Sequence, residues 1–485
     1  MYSLRPIDLN DKISEQVSIG VFSKIYPTKV IQMVVEQSPD VQKKQRRVRH
    51  FVPESVIWFL LVMALWTRLS QARVWEKLTH KLVELHPNED IVVAKASALS
   101  YQRELIGEEI MRRLMETCCH PLCSPQTPGA FYKGMRLMAI DGTLFNTQDT
   151  VGNDAEFGRS KNQYGKGAYP QIRAVCLLEC GSRATIDVSL GGYNRSETHG
   201  AHDVLRVVEA GMLVMHDAGL FGGGLWQGIR QRDAHALSAI AETVLLGTEE
   251  REVLSDGSYL TWLNPSNSAI YPLEKPMRIR VIEYQITDTR LGEPGKIYRL
   301  ATTLLDEKTY PARELIVLYH ERWEIELAYD EIKTHQRQQQ KVLRSKTPQG
   351  VRQEVYATLL VHYAVRALMV QAAAEAGIDP DRLSFTEAAF QINEAIDDAM
   401  VFAPEHQEKI AKRMRQRFRQ NLLPERHLRI NRREIKQVYN KHKPKKRGVP
   451  PPEPFQAHER FEDFVVVQFR YSLPVSKQER VFTVN

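Results

Sequence analysis

The segment at residues 315–333, LIVLYHERWEIELAYDEIK, constrains the fold more than any other stretch of the chain. Four polar side chains recur in it at spacings of three, four and seven residues: Tyr319, Arg322, Glu326 and Lys333. At about 100° per residue, this spacing predicts that all four share one face of a helix whose other faces are apolar. A carboxylate among a phenol, a guanidinium and an ammonium suits a negatively charged substrate that also needs a metal ion.

The bulk composition is that of an ordinary globular protein. The 485-residue chain is 43% hydrophobic and 26% charged, which indicates roughly two to four domains. Its 66 Lys and Arg exceed its 59 Asp and Glu, and a net charge of +7 indicates a polyanionic partner only where the basic residues cluster. The N-terminus lacks an apolar signal segment, and the apolar run at 56–66 is too short to span a bilayer. We therefore expect a cytoplasmic protein without membrane association.

The cysteines argue against a disulfide framework. Five cysteines are an odd and sparse set for this length, which favours a reducing compartment. Three of them surround His120 in the sequence CCHPLC at 118–123, but a zinc site would need a second, distant pair. Ordinary thiols near the end of a helix are the simpler interpretation.

Residues 1–130 are predicted to form a helical N-terminal domain, because apolar residues recur there at helical spacings. The predicted helices cover 30–35, 56–66, 74–85 and 104–117. A basic cluster at 43–50 separates the first two, and contact with phosphates and a solvated loop are about equally supported for it.

Residues 131–400 are predicted to form an α/β domain with a mixed sheet. Its expected elements are strands at 135–140, 171–178, 184–190 and 211–216, a hairpin turn at 179–183, helices at 202–209 and 349–377, and a mainly β insertion at about 225–311. Two pieces within that insertion, 225–229 and 237–240, fit either a helix or a strand. Pro311 is expected to open the helix that carries Glu326.

Residues 401–485 form a basic C-terminal segment. Between Lys409 and Arg447 there are sixteen Lys or Arg, and the acids are Glu425 and Glu434. Clustering this dense predicts contact with nucleic acid, and a solvated basic tail is the alternative.

Three acids are candidate metal ligands: Asp141 and Asp217 each follow an apolar strand run, and Glu326 lies on the polar helix face. Two divalent cations held by carboxylates can activate an attacking oxygen and stabilise a leaving oxygen in phosphodiester chemistry. Hard oxygen ligands point to Mg²⁺, with Mn²⁺ as the alternative. Singly, each Asp also fits a cap or a turn. Asp330, one helical turn beyond Glu326, is the rival for the third position.

These motifs resemble the DDE transposases of bacterial insertion sequences, in particular the insertion sequence 4 (IS4) family. The resemblance is carried by AIDGT around Asp141, VMHDAGLF around Asp217, and the pattern Y-x2-R-x3-E-x6-K that runs from Tyr319 to Lys333. It covers roughly residues 135–369, and the helical start is similar to the N-terminal domain of the family.

The resemblance implies a ribonuclease H-like catalytic core, interrupted by the β insertion and preceded by a domain that binds the DNA ends. It implies cut-and-paste transposition by a homodimer acting on terminal inverted repeats and target DNA in the bacterial cytoplasm, in association with the nucleoid. Asp141, Asp217 and Glu326 would hold the metals, whereas Tyr319, Arg322 and Lys333 would contact DNA phosphates. In family members that form a DNA hairpin, an aromatic residue of the insertion stacks on a flipped base, and Tyr298 or Trp262 could serve here.

Two other functions fit part of the pattern. A nuclease or resolvase on the same core would cleave DNA without joining it. A DNA-binding protein with a decayed catalytic site is the third possibility, and the presence of all three acids argues against it.

Overall fold

The protein is described by a computed structural model, covering residues 20–38, 52–84, 95–162, 165–244, 246, 251–265, 270–293, 295–338, 340–401, 404–424, 453, 455–456 and 458–468. Its contacts define two compact units. The first unit combines Met1–Met212 with Arg322–Leu423, and the second combines Leu213–Glu321 with Pro424–Asn485. The domain boundaries expected near residues 130 and 400 come from sequence patterns and not from contacts, and they stay a prediction.

The first unit contains most of the helices. Its first seven helices are α1 (Thr28–Glu36), α2 (Pro53–Leu65), α3 (Gln71–Glu84), α4 (Ala96–Ile106), α5 (Glu109–Cys118), α6 (Val151–Phe157) and α7 (Glu197–Val204). The second unit contains α8 (Gly223–Arg230) and α9 (Ala312–His320). The remaining helices belong to the first unit: α10 (Glu324–Asp330), α11 (Pro348–Ala376), α12 (Phe385–Val401) and α13 (Pro404–Phe418). Helices α2 and α11 are apolar around most of their circumference and are buried, as expected of core helices. The predicted N-terminal helices are confirmed, except that 104–117 is interrupted at Gly107, whose φ is +72°.

Helix α11 is long and apolar enough to cross a membrane by length and composition, but 89% of its most apolar window is buried inside the protein. It ends where the sequence predicts, at Gly377 in the left-handed conformation.

The strands of the first unit form an antiparallel sheet with the order β1–β2–β5–β6 and a separate hairpin β3–β4. Their bounds are β1 Phe131–Tyr132, β2 Met135–Asn146, β3 Lys161–Asn162, β4 Gly165–Lys166, β5 Gln171–Glu179 and β6 Ala184–Gly192. The predicted hairpin is confirmed. Strand β2 is longer than its apolar run, so Asp141 lies within the strand and not at its exit. The helix expected at 202–209 lies earlier in the chain: Ser196 caps α7 through the backbone N–H of His199, and α7 ends at Val204, followed by a 3₁₀ turn at Leu205–Val207.

The second unit is built on a mixed sheet. Its strands are β7 (Met212–His216), β8 (His235–Ala239), β9 (Glu252–Val253), β10 (Tyr259–Leu263), β11 (Met277–Ile286), β12 (Tyr298–Thr302) and β13 (Val465–Val467). Strands β7 and β8 are parallel, and the order continues antiparallel through β12, β11, β10 and β9, with β13 also pairing with β11. Of the two ambiguous pieces, 225–229 is helical and 237–240 is largely a strand. The expected α/β class with a mixed sheet is confirmed.

The segment that carries the polar pattern is not one regular α-helix. A 3₁₀ turn at Glu321–Trp323 separates α9 from α10, and a π turn at Glu331–Gln336 follows α10. The expectation of one regular helix through the four polar residues is therefore wrong. The boundary between the units also falls inside this segment, so Tyr319 belongs to the second unit and Glu326 to the first.

Candidate active site

Asp141 lies half-buried on β2, paired with Cys176 of the neighbouring strand β5. Its Oδ1 accepts a hydrogen bond from the backbone N–H of Gly142 at 2.8 Å. Because side chains alternate along a strand, Asp141, Thr143 and Phe145 share one face of β2. Lys333 of the π turn contacts Thr143 and Phe145 on that face.

Helix α7 approaches Gly142 on the opposite face of β2. A Cβ atom on Gly142 would lie 1.8 Å from Oε1 of Glu197, a residue of the first turn of α7. Glu197 also pairs with Arg173 of β5 at 3.6 Å. No spacing in the sequence points to this carboxylate, because its proximity to the AIDGT motif arises only from the packing of α7 on the sheet.

Tyr329 and Lys333 connect the segment that carries Glu326 to β2 by hydrogen bonds. The Tyr329 hydroxyl donates to the carbonyl oxygen of Asp141 at 2.6 Å, and Lys333 Nζ donates to the hydroxyl oxygen of Thr143. The Lys333 ammonium also lies over the Phe145 ring, 5.4 Å from its centroid. Burial, assisted by the nearby Arg337, lowers the pKa of Lys333, and Asp141 opposes that shift. The first unit thus brings Glu326 and Lys333 to the strand of Asp141.

Glu326 is half-buried and has a cationic partner in the same unit. Its Oε1 lies 3.2 Å from Nη2 of Arg322, whose side chain is only 10% exposed. The Arg322 guanidinium also lies over the Trp323 ring, 5.8 Å from the centroid. The pair combines a carboxylate suited to a cation with a guanidinium suited to a phosphate.

Asp330, the rival for the third carboxylate, faces solvent. Its side chain is 57% exposed. It accepts a hydrogen bond from the Thr334 hydroxyl at 2.7 Å and lies 3.5 Å from Nε2 of His335. These local contacts on the same stretch of chain account for an acid at this position.

Asp217 belongs to the second unit and directly follows β7, as expected from the sequence. Its Oδ1 accepts from the backbone N–H groups of Gly219 at 3.0 Å and Leu220 at 3.2 Å, so it caps a 3₁₀ turn. Tyr319 lies in the same unit, and its hydroxyl donates to the carbonyl oxygen of His216 at 3.1 Å. The predicted DNA-contacting tyrosine is therefore bound to the residue preceding Asp217.

The three carboxylates have the donor chemistry that a divalent cation requires. Each is half-buried and supplies the hard oxygen donors that Mg²⁺ and Mn²⁺ prefer. Among the residues that the structure describes, no group of three or more His, Cys, Asp or Glu side chains is arranged so that it could hold a metal ion. The chemistry of the donors fits such a cation, and we assign no coordination geometry to it.

Other predicted contacts are covered only in part by the described residues. The basic cluster at 43–50 lies outside them, as does 425–447 of the basic segment. Within α13, Arg415 pairs with Glu375 at 2.8 Å and with Glu408 at 3.2 Å, so this arginine has a structural role.

The aromatic residues considered for base stacking both have partners within the second unit. Tyr298 stacks on Tyr284 with 5.5 Å between ring centroids, and the guanidinium of Arg278 lies 5.1 Å from the Trp262 centroid. A role for either ring in stacking on a base stays a prediction. All five cysteines are free thiols.

Comparison with known proteins identifies the class. The family described as "Transposase DDE domain" matches residues 132–364, and "Insertion element 4 transposase N-terminal" matches residues 16–116. The chain is thus a DNA transposase of the DDE class, an enzyme type that acts on DNA with a divalent metal cation. A cytoplasmic location is consistent with action on DNA.

Individual relatives define the family more closely. Transposase InsG for insertion sequence element IS4 of Escherichia coli (strain K12) is 31% identical over 346 residues, 70% of this chain and 75% of the relative. The putative transposase InsZ of the same strain is 23% identical over 205 residues, 41% of this chain and 64% of the relative. The chain belongs to the IS4 family of DDE transposases. A solved piggyBac transposase synaptic complex with hairpin DNA aligns over 87% of this chain and 88% of that chain, with 11% identity and a TM-score of 0.41, too low to support a structural argument.

Proposed function

We propose that this transposase carries out cut-and-paste transposition of an insertion sequence: it cleaves DNA at terminal inverted repeats and joins the freed 3′-hydroxyl to target DNA. Asp141, Asp217 and Glu326 act as the catalytic carboxylates. The observation that carries this proposal is the hydrogen bond from Tyr329 to the carbonyl of Asp141, reinforced by the contact of Lys333 with Thr143. These bonds hold the segment of Glu326 against the strand of Asp141, as a shared metal site requires.

The carboxylates would hold Mg²⁺, with Mn²⁺ as a substitute. Bound there, such ions lower the pKa of an attacking water and stabilise the charge on the leaving oxygen. The protein supplies the remaining functions. Arg322 and Lys333 neutralise phosphate oxygens beside the cleaved bond, and Tyr319 contacts the same DNA backbone.

The partners and domains follow from the same proposal. The helical domain at 1–130 binds the terminal inverted repeats, the domain at 131–400 with its insertion at about 225–311 performs catalysis, and the basic segment at 401–485 adds contacts to DNA phosphates. A homodimer joins the two ends of the element, and the protein works on DNA of the bacterial nucleoid.

The proposal is tested with purified full-length protein, Mg²⁺, and duplexes copied from the DNA that flanks the coding region. Wild-type protein should nick the element end and join a pre-cleaved end to a target plasmid. Asp141→Asn, Asp217→Asn and Glu326→Gln should each lower both rates by at least about a thousandfold, because each removes a metal-binding charge. Asp330→Asn should retain both activities.

Three results would contradict the proposal in different ways. Cleavage without joined product would identify a nuclease or resolvase. Full cleavage by Asp217→Asn would remove Asp217 from the metal site. Loss of activity in Asp330→Asn with retention in Glu326→Gln would transfer the third position to Asp330.

A further inference from the structure

A buried His–Trp pair adjoins Asp217 in the second unit. His216, the last residue of β7, and Trp226 of α8 are both 0% exposed. Trp226 Nε1 donates a hydrogen bond to His216 Nε2 at 2.9 Å, and His216 Nδ1 lies 3.0 Å from the carbonyl oxygen of Asp217. The two rings meet edge to face, with 6.3 Å between their centroids.

This geometry fixes the tautomer of His216. An indole N–H can only donate, so Nε2 of the imidazole must accept. A neutral ring then carries its proton on Nδ1, from which it donates to the Asp217 carbonyl. The Tyr319 hydroxyl binds the preceding carbonyl, that of His216, at 3.1 Å. Side chains therefore bind the carbonyl oxygens of two consecutive peptide groups, those of His216 and Asp217.

Glycines at the start of α8 allow the chain at residues 271–273 to pack closely against the helix that carries Trp226. Gly223 and Gly224 begin the helix, and a Cβ on Gly224 would lie 2.3 Å from the carbonyl oxygen of Tyr271. A Cβ on Gly223 would lie 2.7 Å from Cβ of Leu273. Trp226, two residues after Gly224, is completely buried.

Packing alone does not require a polar chain at this place. Burying an imidazole and an indole N–H has a desolvation cost that an apolar pair of similar volume avoids. The hydrogen bonds from Trp226 to His216 and from His216 to the Asp217 carbonyl are directional, and they fix the orientation of the Asp217 backbone. The Asp217 carboxylate is oriented separately, by the hydrogen bonds that it accepts from the N–H groups of Gly219 and Leu220.

We propose that Trp226 and His216 are positioning residues that hold Asp217 in the orientation needed to bind a divalent cation. This inference rests on the proposed function, in which Asp217 is a metal ligand. Neither residue touches the cation. They act through the Asp217 backbone, in the way that residues surrounding a metal site orient its ligands.

The test measures Mn²⁺ binding to full-length protein by electron paramagnetic resonance of the free ion, so it does not depend on catalysis. Trp226→Phe keeps the ring and removes the donor, whereas His216→Leu removes both ring nitrogens. Each should weaken Mn²⁺ binding by about tenfold or more. His216→Asn, whose side-chain amide can still donate to the Asp217 carbonyl, should recover most of the affinity. Phe221→Leu is the matched packing control, because Phe221 contacts the Trp226 ring edge to face at 5.2 Å.

A spectroscopic measurement checks the tautomer directly. With ¹⁵N-labelled histidine, wild-type protein should give the signals of a neutral, Nδ1-protonated ring that disappear in His216→Asn and shift in Trp226→Phe. Wild-type affinity in Trp226→Phe and His216→Leu would overturn the inference. So would equal weakening by Phe221→Leu, or failure of His216→Asn to recover binding.

Asp217→Ala separates this inference from the proposed function. If Asp217→Ala binds Mn²⁺ as wild type does, the assignment of Asp217 as a ligand fails, and the positioning role fails with it. If Asp217→Ala loses binding while His216→Leu keeps it, only the positioning role fails.

Discussion

Glu331 gives the sharpest test of how the segment carrying Glu326 and Lys333 is held in place. This glutamate begins the π turn, and its side chain is only 8% exposed. It accepts hydrogen bonds from Arg183 Nη1 at 2.9 Å, Arg366 Nε at 2.9 Å and His362 Nε2 at 3.1 Å. Burial alone would raise the pKa of Glu331, but Arg366, His362 and Arg183 together hold it well below its usual range.

Glu331→Gln keeps the shape of the side chain and removes its charge. Arg183 retains Glu324 and Asp381, at 2.5 Å and 2.8 Å, whereas Arg366, 1% exposed, loses its carboxylate partner. Breaking a buried ion pair from one side costs about 3–5 kcal/mol. At roughly 2 °C per kcal/mol for a unit of this size, the melting temperature should fall by about 6–10 °C.

The assay is thermal unfolding of full-length protein followed by circular dichroism, with Asp330→Asn as control. Asp330 is the neighbouring acid, and its exposure predicts a change within about 0.5 kcal/mol. The pKa of Glu331 is lowered in the folded state, so the stabilisation that its charge provides is fully present above about pH 4, the usual glutamate pKa. That stabilisation is lost as the pH falls further. The difference between wild type and Glu331→Gln should therefore shrink at the lowest pH. A Glu331→Gln protein that melts within about 2 °C of wild type at pH 7 would refute this reasoning.

Two further predictions concern other parts of the molecule. Burial raises the pKa of Asp187 from 3.8 to about 6 despite its bond to Arg206, a shift of about two units or about 3 kcal/mol. Because this pKa is raised, the contribution of Asp187 to stability is most favourable at low pH and is lost as the pH rises through about 6. In urea titrations, the stability of Asp187→Asn relative to wild type should therefore increase from pH 4 to pH 7. A difference that stays constant with pH would contradict this prediction. Phe461 stacks on His320 of α9 with 4.5 Å between ring centroids, so Phe461→Ala should lose about 1 kcal/mol locally and speed limited proteolysis at 458–468. Unchanged cleavage there would show that the neighbouring hydrogen bond from Arg313 to the Glu462 carbonyl is sufficient.

Local signals in the sequence predicted the elements whose ends are determined locally. The left-handed Gly377 ends α11, and Asp217 follows an apolar run that is a strand in full. For Asp141 the same argument failed, because pairing with β5 extends β2 to Asn146, beyond the apolar residues. The exit of a strand is visible in sequence only when burial and pairing stop at the same residue.

The segment around Glu326 shows a second limit of sequence reasoning. Polar spacing assumes one hydrogen-bond pattern throughout, but a 3₁₀ turn and a π turn replace it on either side of α10. Lys333 lies near Thr143 because of these turns and the buried ion pairs of Glu331, which connect residues far apart in the chain. The nearness of Glu197 to Gly142 and the bond from Trp226 to His216 are likewise tertiary, and no residue spacing could have predicted them.

The contact between Arg322 and Glu326 links the two binding events that the proposed function requires. At 3.2 Å, the guanidinium partly neutralises the carboxylate, and each is the other's partner in the protein alone. A cation bound at Glu326 would repel Arg322, and a phosphate bound at Arg322 would draw its charge away from Glu326. Each ligand therefore releases the side chain that the other needs, so metal and DNA should each raise the affinity for the other by the same factor. A half-buried carboxylate paired with its own arginine is in this way suited to an enzyme that should hold its metal firmly only when DNA is in place.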